Sequence, residues 1–319
     1  MLDTPDRIAT LSMAQAVRDP DAFAQDFGAS FSRYGFAVVT DHGLDPDLVS
    51  RAWGMTKAYF DLPEAIKRTH VLPGRGGARG YTAFGVEIAK DAVQHDLKEF
   101  FHVGRDLPPG HRFRSTMPDN VWPELPGFRD TFEALYAAFD DVGLRLLEAI
   151  ARYLDLSPDW FEGPAHLGNS VLRLLHYPPV GADALSIGGG AIRAGAHEDI
   201  NLITLLLGAD EAGLEILRPD GEWLSVAPPP GALVVNVGDM LQRLTNNVLP
   251  STTHRVRNPA VERRGHSRYS MPFFVHLASD HPIETLPGCI GEDRPDAYPE
   301  PILADDYLSQ RLREIGLIK

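Results

Sequence analysis

The chain is expected to fold as an α+β protein with a β-rich core, a jelly roll flanked by helices. Two observations predict it. Up to about residue 165 the apolar residues recur at helical spacing, and beyond it they gather in short runs punctuated by Pro, Gly and Asp. No long helical pattern separates those runs, which argues for a sandwich or jelly roll and against a doubly wound parallel sheet.

In chain order, residues 19–34 place Phe23, Phe27 and Phe31 four apart, and residues 45–60 place Val49, Ala52, Trp53 and Phe60 on one side, so both are read as helices. Between them the β-branched run 36–40, closed by Asp41-His42-Gly43, reads as a strand. Residues 72–109 begin rich in glycine and show no period; they either cover a pocket or merely connect elements. The clearest helix is 128–154. Its Leu135, Phe139, Val142, Leu146, Ile150 and Tyr153 form one face, suited to lie along the back of a sheet. Strands follow at 171–177, 202–207, 213–217, 222–226, 232–237 and 268–276. A short helix is expected at 239–242, with Asp239 and Gln242 as a capping box, and a last one at 304–315. Three stretches result: a mainly helical N-terminal region (1–165), the β core (166–280), and a C-terminal loop and helix packed on it (281–319).

With 319 residues, 44% of them hydrophobic, the chain can bury a sizeable core. The formal net charge of −14 disfavours nucleic acid or an anionic membrane as partner, since both need a cationic surface. It leaves room for a small anionic substrate, because one buried arginine can serve a local site in an acidic protein. Cys289 is the only cysteine, which excludes an internal disulfide and a multi-cysteine zinc site. The first residues lack a secretory pattern, and apolar runs such as 202–207 are too short to span a bilayer, so a cytoplasmic location is expected. The pattern fixes no oligomeric state.

His197-Glu198-Asp199 carries the chemistry. On an extended strand His197 and Asp199 would point to one side and Glu198 to the other. His254, in Thr253-His254-Arg255-Val256, is the best third ligand. Two imidazoles and one carboxylate leave three positions of an octahedral iron(II) open for a cosubstrate and dioxygen. A His-x-Asp alone is weak, because a histidine near a strand is more often a structural hydrogen-bonding residue. The same alternation turns Arg268 and Ser270 together, with Phe274 further along. An arginine fork and a serine hydroxyl could hold a carboxylate; a strand-end arginine paired with a surface acid is the plainer alternative. Tyr177 could add its hydroxyl. Phe274, Asn201 and Arg173 are candidates for contacting a substrate, and Tyr81 and Lys98 for the pocket mouth.

These motifs, taken together and in order, resemble the isopenicillin N synthase-like branch of the 2-oxoglutarate and iron(II)-dependent oxygenases. The resemblance runs from Tyr34-Gly35-Phe36 and Asp41-His42-Gly43 through residues 174–179, His197-Glu198-Asp199, residues 229–239 and Thr253-His254-Arg255-Val256 to Arg268-Tyr269-Ser270-Met271-Pro272. It implies a double-stranded β-helix with iron on His197, Asp199 and His254. It further implies that Arg268 and Ser270, assisted by Tyr177, bind the distal carboxylate of 2-oxoglutarate. Dioxygen would then be consumed with release of succinate and carbon dioxide, while a small molecule is hydroxylated, desaturated or cyclised. Leu175 stands where many relatives carry an asparagine. The stretch from His254 to Arg268 is longer than in many plant relatives, with Glu262-Arg263-Arg264-Gly265 as turn material. Two other readings share the pattern: an oxidase independent of 2-oxoglutarate, in which Arg268 and Ser270 bind a substrate carboxylate, and a non-catalytic small-molecule receptor.

Overall fold

The computed structural model describes residues 7–86, 98–179, 194–208, 213–257 and 265–315. The expected turn at Glu262-Arg263-Arg264 lies outside them. The helices are α1 (Met13–Arg18), α2 (Pro20–Tyr34), α3 (Pro46–Phe60), α4 (Glu64–Arg68), α5 (Phe128–Tyr153), α6 (Glu162–Ala165), α7 (Asp239–Leu244) and α8 (Ala304–Glu314). The first four strands are β1 (Thr10–Ser12), β2 (Phe36–Thr40), β3 (Gly80–Thr82) and β4 (Glu99–Gly104). The β-rich half adds β5 (Val171–Tyr177), β6 (Ala194–His197), β7 (Ile203–Leu207), β8 (Leu214–Leu217), β9 (Trp223–Ser225), β10 (Leu233–Val237), β11 (His254–Val256) and β12 (Arg268–Val275). A small hairpin, β13 (Pro282–Ile283) with β14 (Ile302–Leu303), leads into α8.

Two sheets form the jelly roll. The larger has eight strands in the order β1-β2-β10-β7-β12-β5-β4-β3, and the smaller has four in the order β6-β11-β8-β9. Alternation along the strands divides the large sheet into two faces. On β12, Met271, Phe273 and Val275 turn to the helices, where Phe273 stacks on Phe139 of α5 and meets Tyr136 edge-on. Residues two apart on the other face, Arg268, Ser270, Pro272 and Phe274, line a cavity between the sheets. The helical face is the main core, joining Phe23, Phe27 and Phe31 of α2 to Leu172, Leu205 and Val235. As expected, α5 lies along the back of the large sheet, its apolar stripe buried from Phe128 to Ile150.

The stretch 72–109 does cover the pocket, but it is more than a connection. Residues 74–79 line the cavity, whereas β3 and β4 complete the large sheet. Every residue of β4 is buried, so no alternation betrayed it. Its Glu99 anchors a buried polar knot: Lys67 Nζ lies 2.7 Å from Glu99 Oε2, His176 Nδ1 2.7 Å from Oε1, and the Tyr81 hydroxyl donates to the same carboxylate. Burial pushes the Glu99 carboxyl up, but the hydrogen bonds from His176, Lys67 and Tyr81 outweigh it and hold the group below its usual value. Tyr81 therefore belongs to this knot and not to the pocket mouth. The capping box at α7 also fails to form. Gly238 is the cap residue, the Asp239 carboxylate pairs with Arg311 at 3.0 Å, and Gln242 accepts from the Ser251 amide. Both side chains are drawn away by partners outside the helix.

Candidate active site and metal centre

β6 and β11 run antiparallel and set His197 directly opposite His254. The ring centroids lie 4.4 Å apart. Asp199 is not on an extended strand with His197 as expected: β6 ends at His197, and Asp199 follows in the irregular stretch that leads through a bend into β7. That stretch still brings Asp199 Oδ1 to 3.9 Å from Nε2 of each histidine, and the three donor atoms lie within 4.8 Å of one another.

The second atom of each group is engaged elsewhere, which orients the first. His197 Nδ1 is 2.7 Å from the Gly195 carbonyl and His254 Nδ1 is 3.1 Å from the Thr252 carbonyl. A carbonyl only accepts, so Nδ1 carries the proton and the Nε2 lone pair faces the common point. Asp199 Oδ2 accepts from Thr204 Oγ1 at 2.5 Å and from Asn236 Nδ2 at 2.8 Å, leaving Oδ1 for the cluster. Burial pushes the Asp199 carboxyl up, yet His254 and His197 and then the two hydrogen bonds bring it below its usual value. Burial, then His197, lowers His254 and favours its neutral ligand form. This oxygen and nitrogen donor set suits a divalent transition ion with an open face.

The cavity beside the cluster measures ≈ 650 Å³, the size of a small-molecule site. Arg268, Ser270 and Tyr177 share its wall. Arg268 pairs in register with Tyr177 across β12 and β5, its guanidinium 5.1 Å from the tyrosine ring centroid, and Leu175 lies opposite Ser270. Phe274 and Arg173 also line it; the Arg173 guanidinium lies 4.2 Å from the Phe100 centroid and 5.3 Å from that of Phe274. Arg173 Nε donates to His102 Nε2 at 2.6 Å, and His102 Nδ1 reaches the Gly77 carbonyl at 2.6 Å, so this chain ties the glycine-rich segment to the sheet. Lys98 lines the cavity as expected. Asn201 lines it too, though its amide nitrogen donates to the Ile203 carbonyl and to Thr204 Oγ1. Cys289 is buried away from the cavity.

Thr204 and Asn236 were not singled out from sequence. Each left a signal: it is the lone polar residue inside an otherwise apolar strand, Ile203-Thr204-Leu205 and Val235-Asn236-Val237. The contribution of α8, whose Leu308 and Leu312 reach the cavity, had no signal beyond an apolar helix face.

Two imidazoles and a carboxylate turned to one point inside a jelly roll define the class of non-haem iron(II) oxygenases. The comparisons carry this to a family. Residues 168–277 match the 2OG-Fe(II) oxygenase superfamily, and residues 8–125 match its companion described as non-haem dioxygenase in morphine synthesis N-terminal. The chain is 35% identical to proline hydroxylase buaE of Petromyces alliaceus, over 92% of this chain and 93% of that protein. The crystal structure of a 2OG-Fe(II) oxygenase family protein from Caulobacter crescentus superposes with a TM-score of 0.89 at 57% identity, covering 97% of this chain and 99% of the other. A full-length Neurospora crassa protein, crystallised in complex with alpha-KG and thymine, gives a TM-score of 0.85 at 28% identity, covering 96% of each chain. The chain belongs to the 2-oxoglutarate and iron(II)-dependent oxygenase family and is a dioxygenase that works with both cofactors. The relatives favour this over the oxidase independent of 2-oxoglutarate. Among the described residues no helix is long and apolar enough to cross a membrane.

Proposed function

We propose that His197, Asp199 and His254 hold the iron(II), that Arg268 and Ser270 with Tyr177 hold the distal carboxylate of 2-oxoglutarate, and that a small molecule is oxidised in the remaining cavity. The observation that carries this reading is the convergence of three donor atoms within 4.8 Å at a cavity whose wall also bears Arg268 and Ser270. When bound, iron(II) and 2-oxoglutarate supply the oxidising power, with dioxygen consumed and succinate and carbon dioxide released. The protein's own part is orientation. Thr204 and Asn236 fix the carboxylate, the Gly195 and Thr252 carbonyls fix the imidazoles, and the Tyr177 face supports the Arg268 guanidinium. Ser270, 2% exposed, and Arg268, 5% exposed, meet a ligand with little competing water. The acidic charge of the chain supports a small-molecule partner over nucleic acid or membrane.

Anaerobic calorimetry tests the assignment. Wild type should take up one iron(II) and then one 2-oxoglutarate, and His197→Ala should take up no iron. Arg268→Ala should bind iron normally and lose about 2–5 kcal/mol of 2-oxoglutarate affinity, the cost of removing a buried charged anchor. An Arg268→Ala protein with wild-type affinity for 2-oxoglutarate would show that this arginine is not the anchor.

A further inference from the structure

We propose that Arg79 is a second carboxylate anchor, and that the substrate oxidised in this cavity is a small carboxylic acid whose acid group docks there. The proposal rests on the metal and 2-oxoglutarate reading above and names the substrate class for the same site.

Arg79 is 1% exposed and lines the cavity. Its Nη1 donates to the Ala78 carbonyl at 2.7 Å, whereas Nε and Nη2 are buried and meet no acceptor among the described residues. Those two nitrogens form one edge of the guanidinium. Their hydrogens run parallel, the arrangement that grips both oxygens of a carboxylate. A buried cation with that edge unmet is costly in a resting protein, and such groups call for a ligand. Burial lowers the Arg79 pKa to about 10, which still leaves the group charged at neutral pH. The nearby Asp106 acts on it at a distance but forms no ion pair with it among the described residues.

The fold makes room for this side chain. A Cβ at Gly104 would stand 1.8 Å from Arg79 Cζ and 2.2 Å from Nη2, so only glycine at that position of β4 lets the guanidinium lie flat on the sheet. Nearby, Asn169 Oδ1 also lines the cavity, buried and without a hydrogen-bond donor among the described residues, and offers a complementary acceptor for a ligand N–H or O–H.

The strand register places this anchor relative to the iron site. Thr204, which holds Asp199, pairs with Phe274; Phe274 pairs with Val171; and Val171 pairs with Gly104. One row of residues thus crosses four strands from the metal carboxylate to Arg79, about 14 Å between the end Cα atoms. Arg268 lies six residues from Phe274 along β12, roughly 20 Å, so the two arginines serve different carboxylates. Between the row's ends the floor is Phe274 and Val171. That floor suits an aromatic or alkyl body, with the oxidised carbon several bonds from the acid group.

The test is calorimetric. Wild-type protein loaded with iron(II) and 2-oxoglutarate under anaerobic conditions is titrated with phenylacetate, 3-phenylpropionate and 4-phenylbutyrate, and with the three matching primary carboxamides. At least one acid should bind tenfold or more tightly than its amide. In Arg79→Gln that preference should fall below twofold. If no acid outbinds its amide, or if Arg79→Gln keeps the preference, the proposal is overturned. Should Arg79→Gln not fold, Arg79→Lys decides: the charge remains but the fork is lost, and the preference should drop at least fivefold, an undiminished preference counting against Arg79. The preceding 2-oxoglutarate titration of wild type separates the two readings. A silent one defeats the cofactor assignment, whereas a normal one without acid preference defeats Arg79 alone.

Discussion

The two sheets contribute unequally to the metal centre. The large sheet is covered by α2, α3 and α5, and its central strands are buried on both faces. It supplies Thr204 and Asn236, which fix the carboxylate, and the wall bearing Arg268, Ser270 and Phe274. The small sheet supplies the two imidazoles and, from β6, the Gly195 carbonyl that orients His197. Its outer strand β9 is partly exposed and is held from the side, with Arg255 3.8 Å from the Trp223 ring centroid while Arg255 and Arg257 both pair with Glu215. The difference teaches where precision comes from. Side chains of the large sheet set the carboxylate, backbone carbonyls on β6 and beside β11 set the imidazoles, and the small sheet closes the cluster from the opposite side.

Four substitutions probe that asymmetry. Glu99→Gln, in the large sheet, removes the buried carboxylate of Lys67, leaving its ammonium only the half-exposed Glu64 at 3.4 Å, and should cost about 3–5 kcal/mol of stability, read from denaturant unfolding. His276, just past β12, gives the next effect. Burial lowers its pKa to about 4, with Asp199 opposing that shift and Arg79 adding to it. The unfolded chain takes up this proton near pH 6.5 and the folded chain only near 4. The associated stability is therefore complete above about pH 6.5 and fades as pH falls toward about 4, by at most about 3 kcal/mol. Iron-free wild type should lose more thermal stability across that window than His276→Gln; equal losses would remove His276 from the account. Thr204→Val should weaken iron(II) binding roughly 10-fold while the fold survives, because it removes one of the two hydrogen bonds that fix Asp199 Oδ2 and leaves Asn236 alone to hold it. Trp223→Ala, in the small sheet, should cost only about 1 kcal/mol through the lost cation–π contact, with iron affinity nearly unchanged. A large drop in iron affinity there would mean that β9 positions the imidazoles after all.

Much of this arrangement was legible because two kinds of signal agreed. The strand-rich second half followed from short apolar runs between turn residues, and the cluster followed from His197, Asp199 and His254 lying within it. The reason given for His197 and Asp199 was nonetheless incomplete. They converge across a strand end and the irregular stretch after it, and the Thr204 and Asn236 hydrogen bonds hold that stretch. β4 was hidden because Glu99-Phe100-Phe101-His102-Val103-Gly104 is buried on both faces, so its polar residues read as noise in a loop. Arg79 was hidden for a related reason. It stands in the run Gly76-Gly77-Ala78-Arg79-Gly80, where Gly80 takes a φ of +70° and a Cβ would sit 2.2 Å from the His70 carbonyl oxygen. The sequence there announces a tight turn and gives no hint that its one long side chain folds back into the cavity.

The strand order also governs how the polypeptide can be built. The large sheet's outer strands, β1, β2, β3 and β4, are made first, yet the strands that join them, β10, β7, β12 and β5, emerge later, the last residues near Val275. A ribosome therefore releases α2 and α5, with their rows of phenylalanines, before most of the sheet they pack on exists. Pairings so distant along the chain form slowly, and the greasy helices wait unsheltered in the meantime, a natural point of engagement for chaperones during synthesis.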